Sequence, residues 1–126
     1  MVGKALVLVV DDDSGTQLLV ESLLTNEAYE VEVAGTVSTA RQRLMEVTPD
    51  LILMDIELPD GNGLKLTEWI KRNHRTKSIP VVALTSHTSL EKRAAASEIG
   101  CAGFISKPIE TRGFVKRVEG YLAARK

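Results

Sequence analysis

The sequence is poor in three things that would each have fixed a class. It has one cysteine, Cys101, in 126 residues, which excludes an internal disulfide and any multi-cysteine zinc site and suits a reducing compartment. It has no long apolar run near its start: the longest there, Ala5-Leu6-Val7-Leu8-Val9-Val10, is six residues, too short for a signal-peptide core or a membrane span. It has no excess of one charge, since 16 Lys plus Arg face 17 Asp plus Glu for a formal net charge of −1, so bulk charge draws it neither to nucleic acid nor to anionic lipid. No linker, repeat or low-complexity stretch interrupts the chain, and its length suits one ordinary domain, expected over residues 1–126. What is present, 44% apolar and 26% charged residues, is the balance of a globular protein that folds on its own.

Apolar runs alternate with helical patterns. The first run, residues 5–10, reads as a strand buried on both faces, and it stops at Asp11-Asp12-Asp13. Ser14-Gly15-Thr16-Gln17 has the spacing of a capping box, and Leu18, Leu19, Ser22 and Leu23 recur with helical period, which predicts a helix over residues 14–26. Residues 29–33 alternate apolar and charged, as an edge strand does, and Gly35 closes them. Thr36 or Ser38 can cap a second helix carrying Ala40, Leu44 and Val47, ended by Thr48-Pro49. Leu51-Ile52-Leu53-Met54 is another buried-strand run, and it too ends in a carboxylate, Asp55. Residues 56–61 read as a loop, and Asn62 can cap a third helix with Leu64, Leu66, Trp69 and Ile70. A strand over residues 79–84 exits at Thr85-Ser86, an alanine-rich helix spans 90–99, and a short strand over 103–106 exits at Lys107-Pro108. In the last helix Phe114, Val115, Val118, Tyr121 and Leu122 should face inward.

Five alternations of strand and helix with short connections call for an α/β fold, a doubly wound parallel sheet with helices on both faces. In such sheets the ligand site lies beyond the carboxyl ends of the strands, where strand order reverses. That rule gathers Asp11, Asp12, Asp55, Thr85, Ser86 and Lys107 on one edge. Two carboxylates ~4 Å apart repel by about 4 kcal/mol at an effective dielectric near 20, so the edge needs positive charge. Lys107 supplies one unit, and a hard, oxygen-ligated divalent cation such as Mg²⁺ suits the rest better than zinc does, because His87 is the only nitrogen or sulfur ligand nearby in sequence. A cation, a lysine and a hydroxyl converging on an aspartate suit phosphoryl transfer onto the carboxylate, which needs mostly positioning and charge neutralisation.

Val9-Val10-Asp11-Asp12, then Leu51-Ile52-Leu53-Met54-Asp55 with Leu58-Pro59 and Asn62-Gly63, then Val81-Val82-Ala83-Leu84-Thr85, then Lys107-Pro108 resemble in order and spacing the receiver domain of bacterial two-component response regulators, in its chemotaxis-regulator-like form. The resemblance covers the whole chain and implies a flavodoxin-like five-stranded sheet of order 2-1-3-4-5 with five helices. It implies that Asp55 accepts a phosphoryl group from a sensor histidine kinase or a histidine phosphotransfer protein. Asp12 would ligate Mg²⁺ directly, Asp11 largely through water, and Glu57 through its backbone carbonyl. Lys107, whose bond to Pro108 is usually cis in the family, and Thr85 would each contact a phosphoryl oxygen. Phe104 stands at a switch position often held by tyrosine, so signalling would be a shift between two existing arrangements.

The departures from the family pattern carry their own expectations. Ser86 adds a polar group where alanine is common, and Phe104 lacks a hydroxyl, so its inward state must rest on packing. Glu57 and His87 occupy positions that tune phosphoryl lifetime. Asp13 is expected to serve the helix N-terminus and not a metal, and Cys101 to fill space. Surface positions of the first helix, Gln17, Glu21 and Leu24, are expected to set kinase pairing, and the last strand, last helix and alanine-rich helix to form the output surface toward a downstream protein or an adjoining domain. The chain is expected to be a monomer or weak dimer, cytoplasmic, and a signalling domain that promotes only its own phosphorylation and dephosphorylation. From Met1 just before the first strand and Lys126 just after the last helix, a stand-alone protein is expected only slightly ahead of an excised domain. Two rival readings are a haloacid-dehalogenase-type small phosphatase using Asp11, which would leave Asp55 without a role, and a receiver-like docking module that is never phosphorylated.

Overall fold

The apolar runs become the interior of a parallel sheet because, buried on both faces, they have nothing polar to present to water. The computed structural model describes residues 4–86 and 90–124. The chain runs β1 (Leu6–Val10), α1 (Ser14–Thr25), β2 (Glu30–Ala34), α2 (Val37–Glu46), β3 (Leu51–Asp55), β4 (Glu57–Leu58), β5 (Gly61–Asn62), α3 (Gly63–Arg72), β6 (Val81–Thr85), α4 (Leu90–Ile99), β7 (Gly103–Ser106) and α5 (Phe114–Ala124). The main sheet has the order β2-β1-β3-β6-β7, all parallel. Counted over its five strands, that is the expected 2-1-3-4-5.

Side-chain alternation divides the core between the two faces of the sheet. Val7, Val9, Leu51, Leu53, Val82 and Leu84 meet Val20 and Leu24 of α1 and Phe114 and Val118 of α5. Leu8, Val10, Ile52, Met54 and Val81 meet Ala40 and Leu44 of α2 and Leu66 and Ile70 of α3. Each fully buried aliphatic side chain contributes about 1.5–3 kcal/mol relative to exposure, and β3 and β6 are buried along their whole length. The strand ends are therefore held by a stiff scaffold, which is what a site on the sheet edge needs.

Four local expectations shift. Helix α1 is capped one residue earlier than the Ser14 box suggests, by Asp13, whose carboxylate accepts from the Thr16 backbone N–H. Its inward face is Val20 and Leu24, with Leu19 and Leu23 partly buried, while Leu18 is 67% exposed. Leu24 is thus a core residue and offers nothing to a partner. Val47 is the extended residue that closes α2, not part of its inward face. The loop after β3 contains a small antiparallel hairpin, β4 with β5, and Asp60 at its turn accepts from the Val37 and Ser38 backbone N–H groups. Those are donors of the first turn of α2, which has no intrahelical partner for them. Thr36 and Asn62 cap α2 and α3 as expected.

Candidate functional site

Strands β1, β3 and β6 end side by side, so the residues that follow their apolar runs share one edge. Asp11 is fully buried there and its polar atoms are all engaged. Its N–H donates to the Ala34 carbonyl, and its Oδ1 accepts from the Asp13 N–H at 2.9 Å. Its Oδ2 lies 2.6 Å from Lys107 Nζ, the partner that balances this solvent-screened oxygen. Asp55, at the end of β3, is 8% exposed. Its Oδ1 accepts from the Glu57 N–H at 3.2 Å and its Oδ2 lies 3.4 Å from the same Lys107 ammonium. Asp12 is exposed. Among the described residues its carboxylate has no hydrogen bond or ion pair.

These three aspartates offer one oxygen each within 4.8 Å of one another. Burial and the neighbouring Asp11 charge push the Asp55 carboxyl above the usual carboxylate range, against the pull of Lys107. Burial works to lower Lys107, but its contacts with Asp11 and Asp55 outweigh that, and its ammonium is held above the ordinary lysine value. Three carboxylates against one ammonium leave an excess of negative charge that a divalent cation matches. The donor set is all oxygen, with Asp12 uncommitted, and so fits a hard ion such as Mg²⁺ better than a nitrogen- or sulfur-seeking one.

Thr85 closes β6, buried, beside Ser106 in register, and its carbonyl accepts from the Lys107 N–H at 2.9 Å. That backbone tie joins the threonine and lysine exits, and the Lys107–Pro108 bond is cis. Ser86 is exposed at the strand exit. Glu57 is exposed on β4, directly after the Asp55-Ile56 pair, and reaches the Asp55 carboxylate through its backbone. Phe104 lies on β7, with the Arg93 guanidinium over its ring at 5.5 Å and Arg117 donating to its carbonyl. His87 falls outside the described residues. Asp13 is occupied by the Thr16 hydroxyl and N–H, which hold its carboxyl below the usual range, so it serves the helix. Cys101 is partly buried against the α2/α3 side of the core, and burial pushes its thiol up to about 11.

Two supporting residues escape a reading of the sequence. A Cβ on Gly63 would stand 2.0 Å from the Asp55 carbonyl oxygen. Only a residue without a side chain lets α3 start directly against the end of β3, and the motif Asn62-Gly63 was the available signal. The Gln17 amide donates to the Asp11 carbonyl at 2.5 Å, a contact that no sequence spacing announces.

Fold and edge together define a doubly wound α/β protein whose strand ends hold a lysine-bridged acidic cluster. The model of the response regulator receiver domain matches residues 7–119, and the chain belongs to that family. Its similarity to the polar-differentiation response regulator DivK of Brucella ovis is 34% identity over 116 residues, 92% of this chain and 94% of the relative. A putative response regulator from Chloroflexus aurantiacus superposes with a TM-score of 0.90 at 30% identity, over 95% of this chain and 98% of the other. At the level of the fold alone, so does the receiver domain of the sensor histidine kinase PA1611 from Pseudomonas aeruginosa, with a TM-score of 0.87 at 22% identity over 97% and 100% of the two chains; that structure has magnesium coordinated in its active-site cleft. The chain is thus a phosphoacceptor signalling domain of a response regulator, of the kind that interacts with histidine kinases or phosphotransfer proteins. No helix among the described residues is long and apolar enough to cross a membrane.

Proposed function

We propose that Asp55 is the residue that accepts the phosphoryl group, with Asp11 and Asp12 completing a Mg²⁺ site around it. The observation that carries this assignment is the contrast between the two buried aspartates. Both carboxylates have a backbone N–H on one oxygen and Lys107 near the other, but Asp11 has no exposed surface, whereas Asp55 retains 8% exposure at the open edge. The same contrast disfavours a phosphatase that would use Asp11 as its nucleophile, and a docking-only module has no need of the complete acidic and basic set. In the transfer an Asp55 oxygen attacks phosphorus. The P–N bond to the donor imidazole breaks, its electron pair stays on nitrogen, and an acyl phosphate forms. Lys107, already shared between Asp11 and Asp55, follows the charge onto the phosphoryl oxygens, and Thr85 supplies a hydroxyl on the same edge. A bound Mg²⁺, held by Asp12 and Asp55 with Asp11 behind them and the Glu57 carbonyl beside them, would supply the remaining charge neutralisation.

The reading extends to the output. Phe104, gripped by Arg93 and Arg117, is the element of the α4–β7–α5 face that answers to Thr85, Ser86 adds a polar group beside the phosphoryl group, and Glu57 and His87 set the lifetime of the acyl phosphate. The protein acts in the cytoplasm as a monomer or weak dimer over residues 1–126. It promotes only its own phosphorylation and dephosphorylation, and it passes the signal to a downstream protein or an adjoining domain. The test is uptake of label from a small phosphodonor with Mg²⁺. Wild type and Asp11→Asn should both be labelled, the latter more slowly, and Asp55→Asn should not. Labelling of Asp55→Asn at the wild-type level would overturn the assignment.

A further inference from the structure

We propose that Gln17 is a positioning residue of the acidic site, one that sets the orientation of the Asp11–Asp12 peptide and through it the placement of Asp12 for a divalent cation. The inference rests on the Mg²⁺ site proposed above. Asp12 is the one member of the cluster whose carboxylate no hydrogen bond or ion pair anchors among the described residues, so its position is inherited from its backbone. That backbone is fixed on one side by Asp11, which is tied to Ala34 through its N–H and to Asp13 and Lys107 through its carboxylate. The Asp11 carbonyl belongs to the same rigid peptide plane as the Asp12 N–H, and its partner is the Gln17 side chain, 2.5 Å away.

Gln17 is itself well held. It sits in the first turn of α1, its N–H donating to the Asp13 carbonyl at 3.0 Å. Its amide nitrogen lies 3.7 Å from where a Cβ of Gly35 would stand, and that same point is 4.0 Å from the Asp12 Cα. The side chain therefore fills the space between the end of β2 and the β1–α1 turn. A half-buried glutamine spent on a carbonyl beneath the site is poorly placed to read a kinase, so the surface role expected for it gives way to an inward one.

Mg²⁺ demands near-ideal octahedral geometry, whereas Ca²⁺ tolerates irregular coordination, and groups that orient metal ligands without touching the metal typically change affinity by about 10–100-fold when removed. The test is titration calorimetry of the full chain with MgCl₂ and, separately, CaCl₂, for wild type, Gln17→Leu and Gln17→Met. Both variants keep bulk at the position and delete the donor, so if one fails to fold the other carries the experiment. Expected is a roughly tenfold loss of Mg²⁺ affinity with less than a threefold loss for Ca²⁺. Gln17→Arg, which restores a long donor, should recover part of the Mg²⁺ preference over Ca²⁺. Mg²⁺ affinity within twofold of wild type, or equal losses for the two ions, would overturn the inference. Failure of the wild type itself to bind Mg²⁺ would instead overturn the site reading beneath it.

Discussion

Replacing Gly63 by alanine is the sharpest perturbation of the end of β3 that leaves every charged group in place. The added methyl carbon would lie 2.0 Å from the Asp55 carbonyl oxygen and 3.0 Å from the Ile56 Cα, where side-chain carbons essentially never come under 3.0 Å. Either α3 or the end of β3 must move by about 1 Å. The obstructing atoms are backbone, and the Gly63 N–H is tied to the Ile56 carbonyl at 2.7 Å, so no flexible side chain can swing aside. Overpacking of this kind costs about 1–3 kcal/mol and occasionally more; with a rigid obstacle we expect the upper end, ~3 kcal/mol. For a domain of this size that corresponds to a fall in Tm of roughly 10–15 °C. Gly120 provides the counterpart, because it lies in the interior of α5 with nothing within 4 Å of its would-be Cβ. There alanine should raise stability by about 0.5–1 kcal/mol through helix propensity alone. Urea unfolding of the three proteins, followed by far-ultraviolet circular dichroism, reads both signs at once. A Gly63→Ala protein as stable as the wild type would refute the argument that α3 is seated against β3 by that contact.

Further predictions concern charge. Lys107→Met should lower neutral-pH stability strongly, because it strands a fully buried Asp11 beside Asp55, and added Mg²⁺ should restore part of the loss; thermal melts with and without the ion decide it. The raised Asp55 carboxyl sets a pH dependence: the folded chain binds its proton more tightly than the unfolded chain does, so this group's contribution is full below the ordinary carboxylate pKa and is lost as pH rises through the raised value. Stability without divalent ions should therefore decline with pH over that acidic window, and Asp55→Asn should flatten the decline; a steeper decline in the variant would contradict the sign. Cys101, with a thiol near 11 and partly buried, should react slowly with iodoacetamide at pH 8 in the folded protein and rapidly in denaturant. Equal rates would show that burial does not control it.

What could be read in the sequence was whatever the sheet enforces. A run such as residues 51–54 followed by Asp55 is unambiguous, since only a strand buried on both faces explains the run and only the strand end explains the carboxylate. The site residues at those ends were legible for the same reason. Helix α1 was read one register off because Leu18, Leu19, Val20, Leu23 and Leu24 allow two inward faces, and packing against β1 and α5 selects Val20 and Leu24. The β4–β5 hairpin is two residues per strand, too short for any period to register. Asp60 at the N-terminus of α2, Gly63 under Asp55 and Gln17 under Asp11 are tertiary contacts. Such partners are distant or undistinguished in sequence, and so the support of the site was far less legible than the site.

The central claim, that this edge exists to put a phosphoryl group on Asp55, is tested most directly by locating the group. The protein is treated with a small phosphodonor and Mg²⁺, the acyl phosphate is trapped by reduction, and the modified residue is mapped by mass spectrometry of the peptides. The account predicts a single modified site at Asp55, dependent on the divalent ion and slowed in Lys107→Met. Modification at Asp11 or Asp12 with Asp55 untouched would contradict it.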